Sequence, residues 1–143
     1  MVAQAITFPW ESRAIMDDTI RGSLDHSQVV DITTIGRKSG QPRRIEIYVH
    51  SSAGRLYISG MPRRDKRAWL LNLEANPVLT LHLKDGIRVD LPGTARVITD
   101  EAERRQVIAL VARAWRRTDV DQMVEWSPLI EVSVPGYGQA VAA

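Results

Sequence analysis

The chain has 143 residues, 44% apolar and 25% charged, the composition of one globular domain rather than a fibrous or disordered chain. It has no cysteine, which excludes disulfides, thiolate nucleophiles and cysteine-based zinc sites. A net charge of only +2 does not suggest a protein coated on nucleic acid.

The first ten residues, Met1 to Trp10, lack a basic start and a long apolar run, and no window of about 18 apolar residues occurs anywhere. Neither a signal peptide nor a transmembrane helix is expected, which makes a cytoplasmic protein without a firm membrane anchor the default. Phe8 and Trp10 are expected to pack over the body of the protein or fray; peripheral membrane contact through them is the weaker alternative. A single domain over 1–143 is expected, with a helical segment inside 1–25. Ile15, Ile20 and Leu24 share one face of a helix over Glu11–Leu24. Val29–Ile35, β-branched almost throughout, reads as a strand. Ile45, Ile47 and Val49 alternate with Glu46 and Tyr48, the period of a half-buried strand, and Leu56–Ser59 returns after a turn at Ser51–Gly54.

A helix over Arg64–Ala75 is expected to stop at Asn76-Pro77, because the residue before proline avoids the helical region. Leu79, Leu81 and Leu83 alternate with polar residues up to Asp85-Gly86, a hairpin signal, and Ile87, Val89 and Leu91 alternate beyond it. Pro92-Gly93 predicts a bend or bulge before the strand continues to Ile98. Asp100 and Glu103 have capping-box spacing for a helix whose buried face would be Val107, Leu110, Val111 and Ala114. A last strand covers Leu129–Val134, and residues 136–143 read as a loose tail. The sum is a mainly β, α+β fold: a small, mostly antiparallel barrel with flanking helices.

The near-neutral total conceals an asymmetry. Between Arg37 and Arg67 stand nine basic residues and only two acids, Glu46 and Asp65, a local +7 that leaves −5 for the rest. Seven of the nine are arginine, whose planar fork grips phosphate and carboxylate through paired hydrogen bonds. The histidines, His26, His50 and His82, have no metal-ligand spacing, so no metal site is expected. Ser39 lies in Gly36-Arg37-Lys38-Ser39-Gly40, neither a Gly-x-Ser-x-Gly elbow nor a Walker loop. No side chain is assigned a catalytic role.

Thr33 to Arg44 leaves a strand and carries two glycines that let backbone N–H groups converge on a ligand oxygen, with Arg37, Lys38 and Arg43 as cations and Ser39 as a hydroxyl donor. Composition leaves an anion cradle and a solvated charged loop equally open. In the second piece, Ser59 to Trp69, Gly60 lets a flat ring approach the backbone. The Trp69–Leu73 spacing favours plain core packing, whereas Asn72, a polar amide on an apolar helix, must find a partner and can cap a nearby loop.

Thr33-Thr34-Ile35-Gly36-Arg37-Lys38-Ser39-Gly40-Gln41-Pro42-Arg43-Arg44, followed by Trp69-x-x-Asn72-Leu73-x-Ala75-Asn76-Pro77, closely resembles the deazaflavin-dependent nitroreductase family, the A-type flavin/deazaflavin oxidoreductases also called F420H(2)-dependent quinone reductases. The likeness runs from about Val29 to Ile98 and more loosely to Val134. It implies a split β-barrel that binds coenzyme F420, a deazaflavin hydride carrier with a phosphate and an oligoglutamate tail. By the same likeness Arg37, Lys38, Ser39, Gln41 and Arg43 hold phosphate and tail, Ser59 and Gly60 lie against the ring, and Trp69 and Asn72 line or brace its pocket. The implied partner is a small electron-poor substrate (a quinone, enone or nitro compound), and the state a monomer or homodimer. Two departures stand out. Gly60-Met61-Pro62 replaces a Lys-Gly-Gly-x-Pro-like segment, and the C-terminal region carries Trp115 and Trp126 where known nitroreductases carry tyrosines. The alternative is a split barrel that binds FMN, haem or a fatty acid. A nucleic-acid barrel ranks third, because Tyr48 and Tyr57 are the only aromatics near the arginines.

Overall fold

Six antiparallel strands close on themselves in the order β1-β2-β3-β6-β5-β4, with β4 returning to β1. This computed structural model describes residues 16–138. In chain order the elements are α1 (Asp18–Leu24), β1 (Gln28–Ile35), β2 (Pro42–Ser52), β3 (Arg55–Ser59), α2 (Ala68–Ala75), β4 (Val78–Leu83), β5 (Val89–Val97), α3 (Glu101–Ala114), α4 (Val120–Trp126) and β6 (Leu129–Ser133). The barrel with flanking helices is the expected one. Among the described residues no helix is long and apolar enough to cross a membrane. Phe8, Trp10 and the first part of the Glu11–Leu24 helix lie outside the described residues.

Alternation drives the closure. Val30, Ile32, Leu79, Leu81, Leu83 and Leu91 point inward into one core, joined by Trp69, Leu70 and Leu73 of α2. A second apolar cluster sits outside the barrel, where α3 and α4 cover Tyr57, Ile98 and Leu129. Asp17 caps α1 by accepting from the Ile20 N–H at 2.8 Å. Asp100 caps α3 in the same way, from the Glu103 N–H at 2.9 Å. The Glu103 side chain does not complete the capping box; it turns to Arg96 on β5.

Several elements differ from the expected ones. The helix predicted from Arg64 starts only at Ala68, with Arg67 extended as its N-cap. Arg63, Arg64, Lys66 and Arg67 would all stand at the positive end of the helix dipole, which disfavours an earlier start. β5 runs straight through Pro92-Gly93, which pair with Thr80 and Leu79 in unbroken register. β6 joins β5 only from Thr94 onward, so Pro92 lies where the strand has a single neighbour and a missing N–H is tolerated. The strand begins at Val89 rather than Ile87, after a turn with Gly86 at φ +80°. α3 buries Val107, Ile108, Val111 and Ala112, with Leu110 exposed, so its apolar face is rotated from the predicted one. α4 has no counterpart among the elements predicted from the sequence. The start of the predicted loose tail is tied down: the Tyr137 hydroxyl donates to Leu24 O at 3.0 Å or to Asp25 Oδ1 at 2.8 Å.

Candidate functional site

The β1–β2 loop is shaped by its own backbone. The Gly36 N–H donates to Gln41 O and the Gly40 N–H to Gly36 O, both at 2.8 Å. Gly40 has φ +69°, a conformation that favours glycine. At Gly36 a Cβ would stand 2.5 Å from Ser39 Oγ, so a side chain there would push the Ser39 hydroxyl aside. The Ser39 hydroxyl accepts from the Gln41 N–H at 3.1 Å and from Arg43 Nη2 at 3.3 Å, which leaves its own hydrogen free to donate outward. The two glycine amides are therefore spent inside the loop. The expected convergence of glycine N–H groups on a ligand is replaced by a tight turn that presents side chains.

α2 holds this turn in place. Asn72 is buried; its Oδ1 accepts from the Arg37 N–H at 3.0 Å, and its Nδ2 donates to buried Thr34 Oγ1 at 3.1 Å. The polar residue on the apolar helix thus caps the loop. Trp69, one turn earlier, belongs to the barrel core and also forms the wall of a groove.

That groove has a volume of about 330 Å³ and brings together Arg37, Lys38, Ser39, Arg43, Trp69 and Asn72. Thr34, Gly36, Ile45 and Ala68 complete its lining. Ile45 was legible as a neighbour of Arg43 on the same side of β2; Ala68 carried no signal beyond its place before Trp69. Gln41 shapes the turn without lining the groove. Ser59 and Gly60 are elsewhere. The Ser59 hydroxyl is buried and donates to Pro128 O at 2.7 Å, and Gly60 packs against the Arg67 guanidinium and Pro128.

The charge of the basic segment divides in two. Arg44, Arg55, Arg63 and Lys66 have carboxylate partners in Asp31, Glu131, Asp65 and Glu74. Hydrogen bonds from Lys84 and Arg44 hold the Asp31 carboxyl below its usual range. Arg37, Lys38 and Arg43 have no carboxylate partner among the described residues, and all three face the groove. No side chain caps the N-terminus of α2, whose Ala68 and Trp69 line the same groove. Free amides at a helix start attract anions. The site is therefore a cationic mouth over an apolar, aromatic wall. The residues fit a flat ring with an anionic tail.

A family model for F420H(2)-dependent quinone reductase matches residues 11–135. The chain belongs to the F420H(2)-dependent quinone reductase family. Membership makes it an oxidoreductase that works with coenzyme F420. Among solved structures, an F420-H2 dependent reductase (FDR-A) is 25% identical over 73% of this chain and 93% of its own, with a TM-score of 0.55. The conserved hypothetical protein Rv2991 of Mycobacterium tuberculosis shares the fold at TM-score 0.67, with 21% identity over 85% of this chain and 82% of its own. A further F420 reductase shares it at TM-score 0.61, with 14% identity over 82% of this chain and 94% of its own.

A third cluster lies on the outer side of the F420H(2)-dependent quinone reductase barrel. The His50 ring centroid lies 4.9 Å from those of both Tyr48 and Trp115, edge-on to the first and tilted against the second, and its Nε2 has no hydrogen-bond partner among the described residues. Burial pushes its pKa down to about 4, so the imidazole is neutral at pH 7. Neither the contact with Trp115 nor the burial is visible in the sequence, where 65 residues separate the pair.

Proposed function

We propose that the groove between the β1–β2 loop and α2 holds F420 and that the enzyme passes its hydride to a small electron-poor acceptor, such as a quinone, enone or nitro compound. When bound, the deazaflavin supplies the hydride chemistry. The chain supplies binding and orientation. Arg37, Lys38 and Arg43 meet the phosphate and tail as cations, and Ser39 offers its free hydroxyl hydrogen. The open start of α2 adds partial positive charge beside them. Trp69 gives the ring a flat wall, and Asn72 fixes the loop that carries Arg37 and Lys38. Ser59 and Gly60 are assigned a supporting role at the end of β3 rather than direct ring contact, because neither lines the groove.

The observation that carries this reading is the convergence of three cations without carboxylate partners on the wall formed by Trp69 and Asn72. Titration with F420, followed by fluorescence, tests it. Saturable binding is expected, and Arg37→Ala or Lys38→Ala is expected to weaken it by about 1–3 kcal/mol, the scale of a charge-assisted hydrogen bond. Oxidation of reduced F420 by a simple quinone should follow the same order among the variants. Absence of binding at tens of micromolar F420, or equal affinity for a deazaflavin without its tail, overturns the reading.

A further inference from the structure

α2 divides two grooves. Ala68, Trp69 and Asn72 face the loop groove described above. Arg67, Leu70 and Glu74, on the opposite face, line a second cavity of about 290 Å³ that Ile98, Trp126 and Leu129 close from the other side. Nothing in the cofactor reading uses it.

The charges around this cavity sort into spent and unspent groups. Arg63 pairs with Asp65, and Lys66 with Glu74. Arg104 is part of the wall: its guanidinium donates to Val124 O, Ile98 O and Ser127 O at 2.7, 3.0 and 2.6 Å. Arg64 and Arg67 remain, and neither has a carboxylate partner among the described residues. The Arg64 guanidinium lies 5.2 Å from the centroid of Trp126, held by the ring face. Arg67 donates to Met61 O at 2.8 Å, and its guanidinium lies on Gly60, where a Cβ would come within 3.1 Å of it. Burial first, and repulsion from Arg63 second, hold the Arg67 pKa below its ordinary value. It is a partly desolvated cation short of counter-charge. Glu125, exposed on α4, is the lining carboxylate without a partner among the described residues. An apolar floor of Leu70, Ile98 and Leu129 lies beneath two cations and an indole.

We propose that this second groove binds a small aromatic carboxylate, with its ring on Leu70 and Leu129 beside Trp126 and its carboxylate between Arg64 and Arg67. An α-helix is about 10 Å across with its side chains, so a ligand here is separated from the wall of Trp69 and Asn72 by the thickness of α2. It is therefore not the hydride acceptor of the loop groove. It touches the other face of the helix that shapes that groove, and its binding does not depend on F420.

The full chain is titrated with 2-naphthoate by calorimetry, with the Trp126 indole N–H followed by NMR. Saturable binding that shifts the Trp126 resonance is expected. Arg67→Gln is expected to weaken it about tenfold and Arg64→Gln several-fold, the scale of one charge-assisted hydrogen bond. The neutral 2-naphthamide should bind about tenfold more weakly than the acid. The double variant Arg37→Ala/Lys38→Ala should leave naphthoate affinity within about twofold while weakening F420, which separates this site from the cofactor site. Four results overturn the proposal: no naphthoate binding, equal affinity for acid and amide, loss of naphthoate binding in the Arg37/Lys38 variant, or tighter binding of a naphthylmethylammonium cation. Should Arg67→Gln not fold, the surface variant Arg64→Gln and the acid–amide comparison on the native chain still decide.

Discussion

Replacing Asn72 by alanine removes both ends of the clamp between α2 and the β1–β2 loop. The Arg37 N–H loses its acceptor at 3.0 Å, and the Thr34 hydroxyl loses a donor at 3.1 Å. Each buried hydrogen bond contributes about 1 kcal/mol net, and Thr34 is left buried, so a loss of about 2–3 kcal/mol in urea unfolding is expected. The loop that carries Arg37 and Lys38 is then no longer held before the cofactor arrives. Ordering it on binding should weaken F420 by roughly tenfold, or about 1.4 kcal/mol. Asn72→Asp separates the two effects. Its carboxylate still accepts from the Arg37 N–H, and the Thr34 hydroxyl turns to donate, so stability should fall less than in the alanine variant. It also places a negative charge in the groove, so F420 affinity should fall at least as far. An alanine variant that loses under about 0.5 kcal/mol and binds F420 like the native chain would refute the clamp. An aspartate variant with native affinity would refute the anionic character of the ligand.

Gly36→Ala places a methyl group 2.5 Å from Ser39 Oγ, so the hydroxyl must leave Gln41 and Arg43. A cost of about 1–2 kcal/mol in thermal or urea unfolding is expected, with partial recovery in Gly36→Ala/Ser39→Ala. His50 makes stability depend on acid. Its folded pKa of about 4 lies below the unfolded value near 6.5, so the unfolded chain binds the extra proton between those pH values. Stability should therefore fall as pH drops from about 6.5 to about 4, by up to about 3 kcal/mol, and His50→Phe should flatten that part of the melting-temperature profile. Arg104→Lys cannot reach the three carbonyls that the guanidinium bridges. It should cost about 2 kcal/mol in urea while leaving F420 affinity in the loop groove unchanged.

The strands were legible because inward leucines and valines alternate with polar residues, and period two leaves little freedom of register. The loop motif and Asn72 were legible as chemistry: an amide among Leu71 and Leu73 demanded a partner, and the loop was within its reach. What escaped is non-local. Pro92-Gly93 reads as a break in isolation; only the late start of the β5–β6 pairing shows why a proline fits there. The face of α3 is set by what covers Tyr57 and Leu129, not by its own heptad pattern. The basic segment looked like one +7 field. The carboxylates that neutralise part of it come from β1, α2 and β6, and this selection leaves one set of free cations on each side of α2. The stacking of Arg64 on Trp126 spans 62 residues and has no sequence signature.

The ring of strands has a consequence for how the molecule assembles. β6 comes last among the strands, yet it is inserted between β3 and β5. Until it arrives, both of those strands expose unpaired backbone along one side, the kind of surface that recruits other chains. The partners Tyr57 and Glu131 are 74 residues apart, so this step closes a long loop and is expected to be late in folding. Once it is complete, β6 covers β3 and the Thr94–Val97 part of β5, and the exposed edge of β5 shrinks to Val89–Gly93, where Pro92 has no N–H to offer. The same chain is thus most prone to aggregate just before closure and less open to strand addition afterwards. Substitutions that weaken β6 should first show as insolubility on refolding, before any loss of cofactor binding in the folded fraction.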